Sequence, residues 1–155
     1  MSRVAVIVGS ESDRELGDEI IKILEEFDVK YDYMIISAHK CPDILDEFLK
    51  ESNADVFIAI AGLSAALPGY IASRTLKPVI GVPRDVALNG LDSLLSIVQM
   101  PAGIPVASVG INSARNAALL AVEILALGNK ELLKKLKEYR EELRNSSFKR
   151  INGPK

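Results

Sequence analysis

Short aliphatic runs that return between helical stretches constrain this chain more than any other feature. Residues 4–8, Val56–Ala61 and residues 78–82 are apolar or glycine and proline throughout, so strands built from them have no polar face to give to water. Such strands need cover on both sides, which means helices on both faces of a mostly parallel sheet. The intervening segments supply them. Residues 13–27 place Leu16, Ile20, Ile23, Leu24 and Phe27 at helical spacing, and further helices are predicted at 42–50, 65–73, Leu91–Val98 and 114–127. Strands at 31–36 and 105–109 complete a β-α alternation that predicts a three-layer αβα sandwich with ligands beyond the carboxyl ends of its strands.

At 155 residues, 48% apolar but only 5% aromatic, the chain makes one aliphatic core. Its net charge is −2 with both signs dispersed, which offers nucleic acid no cationic track. A single cysteine forbids an intramolecular disulfide, and Cys41 reads as a small filler without a partner to make it a thiolate. The start, Met1-Ser2-Arg3 and then a short strand, lacks a signal-peptide core, and no apolar run reaches membrane-spanning length. The expectation is a cytoplasmic protein with no membrane contact.

The tail differs in character. After Gly128-Asn129, a helix stop, residues 131–143 align Leu132, Leu136, Tyr139 and Leu143 in one apolar stripe among Lys and Glu. The chain is therefore expected to divide into an α/β domain, residues 1–128, and a C-terminal amphipathic helix and tail, 129–155. Because the body before it already reads as complete, the stripe is expected to cross to a neighbouring subunit, and residues 151–155 are expected to fray.

Three loops follow strands. In Gly9-Ser10-Glu11-Ser12-Asp13, Ser12 and Glu15 have capping-box spacing, the hydroxyls of Ser10 and Ser12 suit a phosphate, and Asp13 can accept from sugar hydroxyls. Ser37-Ala38-His39-Lys40 carries the only histidine, an imidazole able to exchange a proton near neutral pH, beside a hydroxyl donor and a mobile cation. The third loop, from Gly62 through Ser64 to Leu67, is made of small residues that let the main chain approach a flat ligand. It has neither the dinucleotide Gly-x-Gly-x-x-Gly spacing nor a P-loop ending. Capping, helix-junction and core-histidine roles are the structural alternatives for these loops. Gly and Pro are also dense at Gly81-Val82-Pro83 and from Pro101 to Pro105, which predicts fixed turns.

With those residues in place, the chain closely resembles the PurE family of de novo purine biosynthesis. The resemblance rests on Gly-Ser-x-Ser-Asp at Gly9, Ser-Ala-His-Lys with Pro42, the Ala-Gly loop ending Leu67-Pro68-Gly69, the run from Leu91 to Pro101, and Asn116-Ala117-Ala118. It implies a flavodoxin-like fold, a homo-octamer with interfacial sites and exchanged C-terminal helices, and a phosphorylated aminoimidazole ribonucleotide substrate handled without metal or organic cofactor. It also implies functional coupling to an upstream carboxylating enzyme. His39 matches the family's catalytic proton donor and acceptor. Ser10, Ser12, Asp13, Ser37 and Ala38 match phosphate- and ribose-binding positions, and Lys40, Gly62, Ser64 and Leu67 fall at further substrate contacts.

The departures matter. Lys40 stands where the mutase branch usually has arginine, and the mutase loop Gly-Gly-Ala-Ala-His-Leu-Pro-Gly here carries Leu63, Ser64 and Ala66. Lys40, Ser64 and the missing second histidine are similar to the branch that uses carbon dioxide directly, whereas the Gln99–Gly103 region resembles the mutases. The preferred reading is conversion of N5-carboxyaminoimidazole ribonucleotide to the 4-carboxy isomer with His39 shuttling the C4 proton. The alternative is direct carboxylation of 5-aminoimidazole ribonucleotide. A reading of another class is a catalytically silent protein that binds a phosphorylated metabolite. A flavin electron carrier fails for want of a flavin phosphate loop.

Overall fold

A computed structural model describes residues 3–149 and 151. The elements are β1 (Arg3–Val8), α1 (Arg14–Glu26), β2 (Lys30–Ile35), α2 (Pro42–Glu51), β3 (Val56–Ala61), α3 (Ala66–Ala72), β4 (Val79–Pro83), α4 (Leu91–Val98), β5 (Ala107–Ser108), α5 (Ala114–Ala126) and α6 (Lys130–Ser147). All strand pairs are parallel, in the order β2-β1-β3-β4-β5.

Period-two alternation divides the core. Val4, Val6 and Val8 of β1, with Val56, Ile58 and Ile60 of β3, face a layer closed by α1, α5 and α6. Ala5 and Ile7, with Phe57, Ala59 and Ala61, face the opposite layer of α2, α3 and α4. β1 and β3 are buried at almost every position, as their unbroken aliphatic sequence requires, and β2 at the edge is only half-buried. The three-layer αβα sandwich with an additional C-terminal helix is therefore the fold.

Three local expectations change. The capping box at Ser12 and Glu15 does not form: Glu11–Asp13 makes a 3-10 turn, α1 starts at Arg14, and its N-cap Asp13 makes no side-chain cap bond. The strand predicted at 105–109 shrinks to two residues, because Pro105 has no N–H to donate and only Ala107 and Ser108 pair with β4. The stripe of the tail helix is partly spent within the chain. Asn129 caps α6 by accepting from the N–H groups of Glu131 and Leu132, at 3.0 and 3.2 Å. Leu132 and Leu136 are buried in the α1–α5 layer, and Tyr139 packs its ring 5.6 Å from that of Phe27. Leu143 and Phe148 remain exposed. The fraying expected for the last residues falls on 152–155, outside the described residues, apart from exposed Ile151.

Candidate active site

In a sheet ordered 2-1-3-4-5 the chain leaves β1 toward one side and later returns on the other, so a crevice opens between the loops after β1 and β3. That crevice, about 250 Å³, is lined by all ten residues singled out above: Ser10, Ser12, Asp13, Ser37, Ala38, His39, Lys40, Gly62, Ser64 and Leu67. A larger hollow of about 620 Å³ lies at the other end of β4, walled by Ala72 to Val79 and Gly103 to Ala107. Its cations are already engaged, Arg74 by Asp46 at 3.0 Å and Lys77 by Asp55 at 3.7 Å, and it lies away from the strand ends where parallel sheets place chemistry.

The loop after β1 is tied across the sheet by Gly9 N–H donating to Ile60 O at 3.1 Å. Beyond it, Ser10 Oγ donates to Asp13 Oδ2 at 2.9 Å and lies 2.8 Å from Ser12 Oγ. The loop after β2 is a tight turn: Lys40 N–H donates to Ser37 Oγ at 3.2 Å, and Cys41 N–H and Sγ both donate to Ser37 O, at 3.0 and 3.4 Å. Cys41 is half-buried against the α2–α3 layer, consistent with a packing role. His39 and Lys40 project from this turn, exposed, and no hydrogen bond or ion pair engages either side chain among the described residues.

The loop after β3 carries backbone strain. Leu63 has φ +56° and Ala65 φ +40°, the left-handed region that costs a side-chain-bearing residue about 1–2 kcal/mol. The position where mutases of the resembled branch carry glycine thus holds a leucine in a glycine conformation, with its side chain half-exposed at the crevice rim. Gly62 has no such freedom to give up: a Cβ there would lie 2.6 Å from Val86 Cγ2, so glycine permits the β3 and β4 loops to pack together.

Two lining residues escaped the sequence reading. Val86 supplies an apolar wall, and Arg84, one residue past β4, donates from Nη1 to Asp13 Oδ1 at 2.7 Å and to Ser12 Oγ at 2.8 Å. Placing the end of every strand on one rim would have found Arg84, because β4 adjoins β3. The same bonds explain the missing capping box: the Ser12 hydroxyl is turned toward Arg84 and Ser10, not toward the helix.

The family model described as AIR carboxylase matches residues 3–146. The chain belongs to this family, that of PurE. Among its relatives, the N5-carboxyaminoimidazole ribonucleotide mutase of Methanocaldococcus jannaschii is 54% identical over 145 residues, 94% of this chain and 92% of that protein. The mutase of the same name from Thermotoga maritima is 50% identical over 148 residues, covering 93% and 86%. The crystal structure of Treponema denticola PurE superposes with a TM-score of 0.87 at 32% identity, over 94% of each chain. The family's fold thus coincides with the architecture built above from strand burial and register. Among the described residues no helix is long and apolar enough to cross a membrane.

Proposed function

We propose that this chain is an N5-carboxyaminoimidazole ribonucleotide mutase of purine biosynthesis, with His39 as its proton carrier. The observation that carries the reading is the convergence of one imidazole and one lysine, both unengaged among the described residues, with four serine hydroxyls on a single crevice at the sheet's switch point. The mutase names of relatives around half identical to this chain support the same choice.

The chemistry requires one mobile proton. When the carboxyl group leaves N5 as carbon dioxide, the nitrogen takes up a proton to become the amine. When C4 then attacks the carbon dioxide, its own proton must depart to restore the aromatic ring. An imidazole that gives the first and takes the second ends the cycle as it began. Lys40 and the Ser37 hydroxyl serve the phosphate, Ser10 and Ser12 hold the wall beside Asp13 where the sugar lies, and the amides of the Gly62 loop face the carboxylate. Holding carbon dioxide between its release and recapture needs a closed, dry pocket. The crevice is smaller than a ligand pocket commonly is, and Leu63 and Val86 are exposed at its rim. Further exposed leucines, Leu88, Leu91 and Leu95, continue onto α4. These features support closure by neighbouring subunits, which a homo-octamer with the exposed far half of α6 exchanged would provide; the N5-carboxylated substrate itself would come from a carboxylating enzyme upstream.

Lys40, Ser64 and the absence of a histidine at Ala66 favour the second reading, direct carboxylation of 5-aminoimidazole ribonucleotide. Purified protein is given the N5-carboxylated ribonucleotide with free carbon dioxide trapped, and 5-aminoimidazole ribonucleotide with bicarbonate in parallel. Turnover of the first substrate under trapping supports the mutase. Turnover of the second alone makes the protein a carboxylase, and binding without turnover of either makes it a silent metabolite-binding member.

A further inference from the structure

Arg84 belongs to none of the motifs that carry the family resemblance, yet it is the most firmly held cation in the crevice. Its main chain is fixed on both sides: its N–H donates to Ala61 O at 3.0 Å, and its carbonyl accepts from Ser93 Oγ at 2.8 Å. Ser93 is fully buried, and the next residue, Asp85, donates its N–H to Asn112 Oδ1 at 2.9 Å. The guanidinium is therefore aimed by the scaffold, not by a flexible loop. Its Nη1 bridges Ser12 and Asp13, whose positions lie 72 and 71 residues earlier in the chain.

Donor counting fixes the direction of every bond in this ring. A carboxylate only accepts, so the Ser10 proton goes to Asp13 Oδ2. Ser10 has no second proton, so in its 2.8 Å contact with Ser12 it must accept, and Ser12 is the donor. Ser12 in turn accepts from Arg84. Both hydroxyl protons are thus committed, and Asp13 accepts one bond on each oxygen, leaving one lone-pair site on each for a ligand hydroxyl.

The charge balance is the more telling point. Asp13 is 5% exposed and lines a crevice proposed to take a phosphate, an arrangement in which an uncompensated carboxylate would repel the ligand across a low-dielectric wall. Arg84 lies against it at 2.7 Å and cancels that charge, so that Lys40 is left as the net cation facing the ligand. We propose that Arg84 is a positioning residue of the ribonucleotide site: it neutralises the Asp13 carboxylate and holds Asp13 and Ser12 in register, so that one crevice accepts sugar hydroxyls and a phosphate together. The proposal deepens the functional reading above and rests on its ribonucleotide.

The test reads binding apart from turnover. Calorimetric titration with 5-aminoimidazole ribonucleotide, which both candidate reactions bind, is run on the unaltered assembly, R84M, R84K and R84M/D13N, with melting curves confirming that each is folded. R84M is expected to bind at least 30-fold more weakly, R84K to recover most of that loss, and R84M/D13N to bind more tightly than R84M because the repelling charge has gone with its partner. Turnover follows the same order in KM, with kcat within about threefold. R84M binding like the unaltered protein would overturn the proposal. A double variant no better than R84M would also overturn it, making Arg84 a direct phosphate ligand. Failure of the unaltered protein to turn over the N5-carboxylated substrate bears on the reaction assigned above and leaves this binding comparison intact.

Discussion

Replacing Gly81 by alanine is expected to destabilise the protein and disturb the site although no polar group changes. Gly81 lies within β4, in register with Ala59 of β3 and Ser108 of β5. A Cβ built on it meets Ile97 Cγ2 at 2.5 Å and the Cβ and Cγ of Pro68 at 3.2 Å, against an optimal carbon contact of about 3.5–4.0 Å. Neither neighbour yields easily. Ile97 is fully buried and stiff at χ1, and Pro68 is a ring in the first turn of α3. Overpacking of this kind costs about 1–3 kcal/mol, while the stiffer unfolded chain returns about 0.4–1 kcal/mol. The net loss of about 1–2 kcal/mol corresponds to a fall in Tm of roughly 2–8 °C for a chain of this size. Because Pro68 lies in the first turn of α3, three residues after the strained Ala65, KM should rise as well. Gly128→Ala is the control: that glycine is exposed, with nothing within 4 Å of the added Cβ, so the same methyl should raise Tm slightly. Melting is followed by circular dichroism at one fixed protomer concentration, since assembly shifts Tm by mass action. A Gly81→Ala protein that melts at or above the parent temperature with unchanged KM would refute the packing argument.

His39→Asn should lower turnover at least about 100-fold, the usual worth of a positioned acid–base group, with circular dichroism and assembly size unchanged; loss of folding would instead make the histidine structural. Leu136→Ala should cost about 2–3 kcal/mol in urea unfolding, because Leu136 is buried against the α1–α5 layer, and a change under about 0.5 kcal/mol would mean that α6 is not docked there. The Tyr33 phenol is held neutral to about pH 12, first by burial and then by its hydrogen bond to Asp18. Its folded pKa exceeds the unfolded value of about 10, so its contribution to stability is complete below pH 10 and is lost as pH climbs through 12. Tyr33→Phe should therefore flatten the decline of stability between those values; equal slopes for the two proteins would count against the assignment.

What was legible in the chain follows the range of the forces involved. β1 and β3 could be bounded closely because burial on both faces writes itself into consecutive residues, Val4 to Val8 and Val56 to Ala61. The α6 start was legible because its cap is local, Asn129 bonding two residues within its own first turn. β5 was overextended because apolar content was weighed above the missing donor of Pro105. Ser12 was misjudged because a capping pattern four residues long competes with a guanidinium far away in sequence, and only the sheet order shows which wins. Arg84 was invisible for the same reason, and the docking of Leu132 and Leu136 depended on the position of Phe27 about a hundred residues earlier. The loops that line the crevice were legible because each follows its own strand, whereas the ion pair joining the first of them to the end of β4 has no local signature.

The sheet order also has a consequence for synthesis. The interior strand β1 is made first, but its partner on one side, the central strand β3, does not exist until residue 61 has left the ribosome. The two faces then mature at different times. α2, α3 and α4 precede β5 and can close their layer early, whereas α5, which lies over β3 and β4, is translated only after residue 113. For that interval Val56, Ile58, Ile60, Ile80 and Val82 lack the cover of α5, and only α1 is present on their side of the sheet. At 5–20 residues per second the gap between completing β3 and completing α5 is roughly 3–13 s. The aliphatic surface left open during synthesis is thereby concentrated on one side of the sheet until the Ala-rich helix closes over it.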